Sequence, residues 1–232
     1  MIPYNVIYAD PPWRFKTRSR LGEGRSPSAY YDTMTPAEIA AYPVQQYAAQ
    51  DCVLLMWTTD PFLEASFSVI KAWGFRYKTV GFYWIKTGKD YIGRPIGTGY
   101  WTRANPELCL LATRGHPKRT SKNVHKLIEA PRREYSQKPD GIYDRIEQLV
   151  AGPYLELFAR QRWPGWDAVG KEVDSGPAQR RWHADGRELK PDAPGSENYQ
   201  RNILQVARET PADPKRLDRA DAESEVCGEG HD

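Results

Sequence analysis

Four consecutive residues near the start of the chain, Asp10-Pro11-Pro12-Trp13, combine a carboxylate, two rigid peptide units and a large aromatic ring. An amine conjugated to an aromatic ring is a poor nucleophile, because its lone pair is delocalised. If the Asp10 carboxylate and the Pro11 carbonyl each accept one hydrogen of such an amine, its lone pair becomes available. Trp13 could stack on the attached ring while Pro12 stiffens the turn. The Asp10–Trp13 turn therefore predicts activation of an aromatic amine without a covalent intermediate.

The same residues also allow a structural interpretation, in which Asp-Pro-Pro is an ordinary turn and Trp13 belongs to the core. The segment 5–9 is rich in β-branched and aromatic residues, which predicts a buried strand ending at the turn. Pro11 biases Asp10 away from helix, so the turn holds one extended shape. Because ligands of open α/β sheets lie at the carboxyl ends of strands, this context favours the chemical interpretation.

Further strands and helices alternate along the chain and must position the turn. Helices are predicted to begin at Thr35-Pro36, at Asp60-Pro61 and after Pro139-Asp140-Gly141, each before an apolar face. The other predicted strands are 52–57, 77–85, 108–113 and 154–158. This alternation implies an α/β fold with a mainly parallel, doubly wound sheet.

Charge divides the 232 residues into two parts. Residues 1–174 hold 24 Lys and Arg against 18 Asp and Glu, whereas residues 175–232 hold 9 against 12. Apolar residues also become sparse in the second part. We therefore predict one domain over 1–174, followed by a charged, flexible tail over 175–232. The basic balance of the domain favours an anionic partner.

Cysteine usage and hydropathy argue against several other classes of protein. The three cysteines, Cys52, Cys109 and Cys227, form no C-x-x-C pair, so we predict no disulfide framework. The four histidines show no ligand-like spacing with each other or with cysteine, so we predict no zinc site and assign no metal. The longest purely apolar run, 52–57, is far shorter than the roughly 20 residues of a membrane span. No signal-peptide core precedes Asp10. We expect a cytoplasmic protein without a membrane partner.

Six segments, taken in order, resemble the beta-class adenine methyltransferases named after the seventy-kilodalton subunit of the eukaryotic messenger-RNA adenosine methyltransferase. They are Asp10-Pro11-Pro12-Trp13, Tyr30-Tyr31-Asp32-Thr33-Met34, Leu55-Met56-Trp57-Thr58, Trp84-Ile85-Lys86-Thr87, Lys138-Pro139-Asp140 and Glu156-Leu157-Phe158-Ala159-Arg160. The resemblance covers about residues 4–174. It implies a Rossmann-like methyltransferase fold with a circularly permuted motif order, in which the catalytic motif precedes the donor-binding strand. It also implies S-adenosylmethionine as donor and direct transfer to the exocyclic 6-amino group of adenine in DNA or RNA.

The resemblance further implies roles for individual residues. Asp10 would hold the target amine and the donor's amino group, and the Pro11 carbonyl would be the second amine acceptor. The other donor-binding residues would be Lys138 at the carboxylate, Phe158 at the adenine ring, Arg160 at the ribose hydroxyls and Glu156 at the same strand end. The alternative for Lys138 is a solvated lysine in a basic run, and for 156–160 an ordinary strand.

One segment departs from the family pattern. Where the family often has an amide pair after a glycine, this chain has Gly170-Lys171-Glu172. The carboxylate of Glu172 can still accept from ribose hydroxyls, whereas Lys171 does not replace an amide. We expect both Lys171 and Glu172 at the donor site.

The acceptor side is expected to involve aromatic and charged residues near the predicted strand ends. They are Trp13, Arg14, Tyr30, Trp57, Trp84, Lys86 and Glu107. Trp57 and Trp84 could stack on an extruded base or pack in the core, and the sequence leaves both interpretations open. Lys86 could meet a phosphate. Two stretches, 14–25 and 114–133, add 12 basic residues that could track a nucleic-acid backbone.

These observations favour an adenine-N6 DNA methyltransferase. The same chemistry on RNA is the nearest alternative, and a non-catalytic nucleic-acid-binding subunit of a methyltransferase complex is the second. The intact Asp10–Trp13 turn argues against the non-catalytic subunit, since a scaffold has no need of the acid. The basic loops argue against a small-molecule methyltransferase. The expected partner is nucleic acid, with a homodimer or a partner subunit left open.

Overall fold

The computed structural model describes residues 3–14, 33–89, 91–97, 99, 101–133, 137–170 and 173. Three expected site residues, Tyr30, Lys171 and Glu172, lie outside the described residues, and so does the tail over 175–232. The division into a domain and a tail therefore stays a prediction. No helix within the described ranges is long and apolar enough to cross a membrane.

Seven strands and three α-helices form within the described residues. The strands are β1 (Tyr4–Ala9), β2 (Ala48–Thr58), β3 (Arg76–Thr87), β4 (Glu107–Arg114), β5 (Leu127–Pro131), β6 (Tyr154–Leu157) and β7 (Trp166–Val169). The helices are α1 (Pro36–Ala40), α2 (Leu63–Ala72) and α3 (Gly141–Leu149), with 3-10 turns at Val44–Gln46 and Asp60–Phe62. The five predicted strands and three predicted helices are confirmed, within a few residues at their ends. Strands β5 and β7, which are short and lie at the two edges of the sheet, were not predicted from the sequence.

The strands form one mixed sheet in the order β5-β3-β4-β2-β1-β6-β7. Four of the pairings are parallel, namely β1 with β2, β1 with β6, β6 with β7, and β3 with β5. Strand β4 runs antiparallel to both of its neighbours, β2 and β3. The mainly parallel α/β sheet is therefore confirmed, with β4 as its exception.

Helices cover both faces of the sheet, as a doubly wound fold requires. Successive side chains of β1 point to opposite faces. Ile7 and Ala9 pack in one core cluster with residues of α1 and α2, whereas Val6 and Tyr8 pack in the other with residues of α3. The central strand is thus buried on both sides, which fixes the position of the turn that follows it.

Candidate active site

The Asp10–Trp13 turn follows β1 directly, at the carboxyl ends of the parallel strands β1 and β2. It forms part of a cleft of about 380 Å³, counting the solvent at its open mouth. This is where open α/β sheets bind their ligands. The lining residues are Asp10, Pro11, Pro12, Trp13, Trp57, Thr58, Thr59, Glu107, Lys138 and Arg160.

Backbone hydrogen bonds hold the turn in place. The N–H of Trp13 donates to the Pro11 carbonyl at 2.9 Å, and the N–H of Met34 donates to the Pro12 carbonyl at 2.7 Å. The segment after Met34 is fixed in turn by a capping box, in which Thr35 and Glu38 exchange hydrogen bonds at the start of α1. A carbonyl oxygen has two lone pairs, so Pro11 keeps one acceptor position for a ligand.

Trp13 forms a wall of the cleft and is itself buried. Its ring stacks on Phe62 with centroids 5.1 Å apart and planes inclined by 17°. Its indole Nε1–H donates to the backbone carbonyl of Trp57 at 3.2 Å. The ring is therefore held by packing and by a hydrogen bond, which gives the cleft a rigid aromatic side.

Acidic and basic groups alternate along the cleft. The Nζ of Lys138 lies 2.7 Å from Oδ2 of Asp10 and 3.2 Å from Oε2 of Glu107. The Nζ of Lys86 lies 2.6 Å from Oε1 of Glu107. The side chains of Lys138 and Glu107 are only 8% and 7% exposed. Lys138 is thus a buried cation shared by two carboxylates and not a solvated lysine.

Mutual attraction keeps this buried pair charged. Burial alone would raise the pKa of Glu107, but the charges of Lys138 and Lys86 outweigh it and hold the pKa below its ordinary value. Burial would lower the pKa of Lys138, but Asp10 and Glu107 hold it above its ordinary value. At neutral pH, Lys138 is therefore an ammonium and Glu107 a carboxylate.

The β6 side of the site carries Glu156, Phe158 and Arg160. Glu156 is buried and accepts a hydrogen bond from the Tyr143 hydroxyl at 2.9 Å. Phe158 has a left-handed backbone (φ 61°), which is uncommon outside glycine. Its ring packs against that of Tyr42, with the ring centroids 4.9 Å apart. Arg160 lines the cleft, whereas Glu156 and Phe158 are not among its lining residues.

Burial raises the pKa of Glu156 to about 8, and the charge of Asp10 adds to this effect, although the Tyr143 hydrogen bond opposes it. At pH values between the ordinary pKa of glutamate and about 8, Glu156 keeps its proton in the folded protein and loses it in the unfolded chain. Stability should therefore fall as the pH rises through this interval, by up to about 1.4 kcal/mol per pH unit.

Glu156→Gln keeps an acceptor for Tyr143 but cannot ionise. We expect the unfolding free energy of Glu156→Gln to exceed that of the wild type increasingly from pH 5 to pH 8.

Denaturant unfolding of both proteins at several pH values measures this difference. Equal pH dependence in the two proteins would show that Glu156 is not held protonated by its surroundings.

Only some of the expected acceptor-side residues line the cleft. Trp57 lines the cleft, and its Nε1–H donates to the Tyr8 hydroxyl at 2.7 Å. Trp84 is fully buried, donates to the Ala130 carbonyl and is not a lining residue, which is the core-packing arrangement. Arg14 is exposed, and its Nη2 donates to the Thr33 carbonyl at 2.8 Å. Lys86 is engaged with Glu107.

Two lining residues, Thr58 and Thr59, were not among the predicted site residues, although Thr58 ends one of the six segments that carry the resemblance. The available signal was their position at the end of β2, the parallel neighbour of the strand that carries the turn. The sequence also gave no indication that Glu107 joins Lys86 to Lys138. Within the described ranges, no group of three or more His, Cys, Asp or Glu side chains is placed to hold a metal ion.

The fold and the cleft define a Rossmann-like α/β protein with a cleft at the carboxyl ends of its central parallel strands, the usual ligand site of such sheets. The sequence model of the MT-A70 family matches residues 4–172, and the chain belongs to this family. The MT-A70 family has the fold of S-adenosylmethionine-dependent methyltransferases. The expected family and fold are therefore confirmed.

Similar proteins include the type II methyltransferase M.MunI from Mycoplasma sp, which is 35% identical over 188 residues that cover 73% of this chain and 78% of that protein. The N(6)-adenine-specific methyltransferase METTL4 from Homo sapiens is 29% identical, over 73% of this chain and 37% of that protein. An N(6)-adenosine-methyltransferase MT-A70-like protein from Arabidopsis thaliana is 28% identical, over 74% of this chain and 24% of that protein. The chain thus spans most of M.MunI and a smaller part of the two eukaryotic proteins.

Proposed function

We propose that this protein transfers a methyl group from S-adenosylmethionine to the 6-amino group of adenine in DNA. The observation that carries the proposal is the cleft in which Asp10, the Pro11 carbonyl and Lys138 meet at the carboxyl end of β1. Membership of the MT-A70 family supports the methyl transfer. The names of METTL4 and of the Arabidopsis relative support adenine N6 as the acceptor.

The residues of the cleft fit the amino-acid end of the donor. This end carries an ammonium and a carboxylate, and the cleft offers the carboxylate of Asp10 and the ammonium of Lys138 only 2.7 Å apart. Arg160 lines the cleft on the β6 side and is proposed to meet the ribose. Bound S-adenosylmethionine supplies an electrophilic methyl group, whose bond to sulfur breaks as its bond to nitrogen forms, with the electron pair staying on sulfur.

The acceptor amine fits the other part of the same cleft. Lys138 contacts Oδ2 of Asp10, which leaves Oδ1 to accept one N–H of the amine. The free lone pair of the Pro11 carbonyl accepts the second N–H. These two hydrogen bonds withdraw the nitrogen lone pair from the ring and aim it into the cleft. Asp10 is also placed to receive the proton that the nitrogen loses after transfer.

DNA is the proposed substrate because M.MunI, a type II methyltransferase, matches over most of its own length. RNA is the second candidate, since the Arabidopsis relative is named an adenosine methyltransferase. A duplex substrate requires extrusion of the target base, at a cost of a few kcal/mol, which a single strand avoids.

Transfer of label from S-adenosylmethionine to duplex DNA, single-stranded DNA and RNA of matched base composition separates these substrates. We expect label in DNA in excess of label in RNA. Label confined to RNA would reject the DNA assignment. Donor binding without transfer to any of the three would favour the non-catalytic subunit.

Exposed cations near the cleft are expected to bind the DNA backbone. The basic residues that follow β4 lie at the opposite edge of the sheet, because Arg114 pairs with Cys52 and not with the cleft end of β2. Lys89 follows β3 and Arg132 follows β5, and both are exposed at the cleft edge, whereas Arg133 is already paired with Asp140 at 2.6 Å. If about five cations contact phosphates, the logarithm of the binding constant should fall against the logarithm of salt concentration with a slope of roughly −4 to −5 on duplex DNA. Fluorescence anisotropy at salt concentrations from about 50 to about 200 mM measures this slope.

The double variant Lys89→Gln/Arg132→Gln should reduce the slope by about 2, because each lost phosphate contact removes roughly 0.9. An unchanged slope in this variant would place the DNA on a different surface.

A further inference from the structure

Thr59 carries a hydroxyl that no described residue uses. It follows β2 and lines the cleft beside the Asp10–Trp13 turn. Its Oγ1 is buried and has no hydrogen-bond partner among the described residues. Burying a hydroxyl without a partner costs free energy, so such groups in folded proteins call for an explanation.

The local structure leaves this hydroxyl without a capping role. Thr59 is the N-cap of the 3-10 turn Asp60–Phe62, and its backbone (φ −122°, ψ 159°) suits a capping side chain, yet it makes no capping hydrogen bond. Pro61 has no N–H to donate. The N–H of Phe62 already donates to the Thr59 carbonyl at 2.9 Å. The hydroxyl is therefore left for a partner from outside this turn.

The neighbouring Thr58 is different. Its Oγ1 accepts a hydrogen bond from the Ser66 hydroxyl at 2.7 Å, and this contact joins β2 to α2. Two adjacent threonines thus line the same cleft, one with a structural hydrogen bond and one without. They provide a matched pair for experiment.

The strand order places Thr59 on one side of Asp10. In the sheet, β2 and β4 lie on one side of β1, and β6 lies on the other. Arg160, which is proposed to meet the donor's ribose, follows β6 and lines the cleft. Thr59 follows β2 directly, and it lines the cleft together with Asp10 and Pro11, which are the proposed acceptors of the target amine.

We infer that the Thr59 hydroxyl donates a hydrogen bond to a ring nitrogen of the target adenine beside its 6-amino group. This inference rests on the proposed function. N1 is bonded to the amine-bearing carbon, N7 lies on the other side of the amino group, and both are acceptors. Because no hydrogen bond fixes the hydroxyl, it can turn between staggered positions to meet the base. Thr59 would thereby position the adenine while Asp10 and Pro11 hold the amine.

The test compares Thr59→Val and Thr59→Ser with the wild type on duplex DNA that contains deoxyadenosine, 7-deazadeoxyadenosine or 1-deazadeoxyadenosine. We expect Thr59→Val to lower kcat/KM on normal DNA about tenfold, as loss of one hydrogen bond does, and Thr59→Ser to retain most of it. One of the two deaza substitutions should lower the wild-type kcat/KM by a similar factor and have little further effect on Thr59→Val. The dissociation constant of S-adenosylmethionine should stay within about twofold in Thr59→Val.

Thermal unfolding separates a contact with the base from a structural role. Thr59→Val should melt no lower than the wild type, because the hydroxyl has no partner to lose, whereas Thr58→Val should melt lower. Three results with Thr59→Val would each overturn the assignment of Thr59. They are weakened donor binding, an unchanged rate of transfer, and effects on kcat/KM that add to those of both deaza bases. Wild-type protein that methylates no adenine would instead overturn the proposed function, and the inference with it.

Discussion

Asp10→Ala is expected to lower the rate of methyl transfer at least about 1000-fold and to leave the fold intact. The variant loses the acceptor for the target amine, the partner for the donor's ammonium and the group that takes the released proton. General base catalysis alone accelerates a reaction by a factor of about 10²–10⁴. The fold should persist, because the turn is held by backbone hydrogen bonds and Lys138 keeps Glu107 at 3.2 Å.

Single-turnover transfer assays and thermal unfolding measure the two halves of this prediction. Asp51→Asn is a matched control, since Asp51 lies near the start of the neighbouring strand β2 and does not line the cleft. Its transfer rate should remain within a few-fold of the wild type. An Asp10→Ala protein that folds and still transfers methyl groups at a comparable rate would contradict the mechanism.

Lys138→Met is expected to weaken S-adenosylmethionine binding about 100-fold or more and also to destabilise the protein. Lys138 is buried between Asp10 and Glu107, and removing one member of a buried ion pair costs about 3–5 kcal/mol, because the remaining charges lose their partner. The remaining lysine, Lys86, contacts Glu107 and so compensates only part of this loss. The donor carboxylate would meet no cation at the Lys138 position.

Isothermal titration with the donor and denaturant unfolding test these two effects separately. Lys126→Met is the matched control, because Lys126 is exposed and its Nζ donates to the Thr79 hydroxyl, away from the cleft lining. It should bind the donor as the wild type does. A destabilised Lys138→Met protein with unchanged donor affinity would show that Lys138 is structural and that the carboxylate binds elsewhere.

Much of the fold was predictable from local pattern. Strand β1 is a short apolar run that stops at two prolines, and α1 begins at a capping box, so both are specified by residues close in sequence. Strands β5 and β7 were not predictable in this way. Their stability comes from pairing with β3 and β6, which are distant contacts that no local pattern reveals.

The candidate site was predictable to a similar extent. The Asp10–Trp13 turn is one continuous segment at a strand end, so its place in a ligand cleft followed from the sequence. The ion pairs that join Asp10 to Lys138 and Glu107 to Lys86 depend on the order of strands in the sheet. The burial of Trp84 depends on the position of β5. Such features are set by tertiary structure and not by residue type.

The most direct test of the account is to identify the methylated product. Wild-type protein and Asp10→Ala are incubated with labelled S-adenosylmethionine and duplex DNA, and the DNA is digested to nucleosides for mass spectrometry. We predict label in the 6-methyl group of deoxyadenosine with the wild type and none with Asp10→Ala. Label on a ring nitrogen of adenine, on cytosine, or in equal amount from both proteins would contradict the role of Asp10 in activating the 6-amino group.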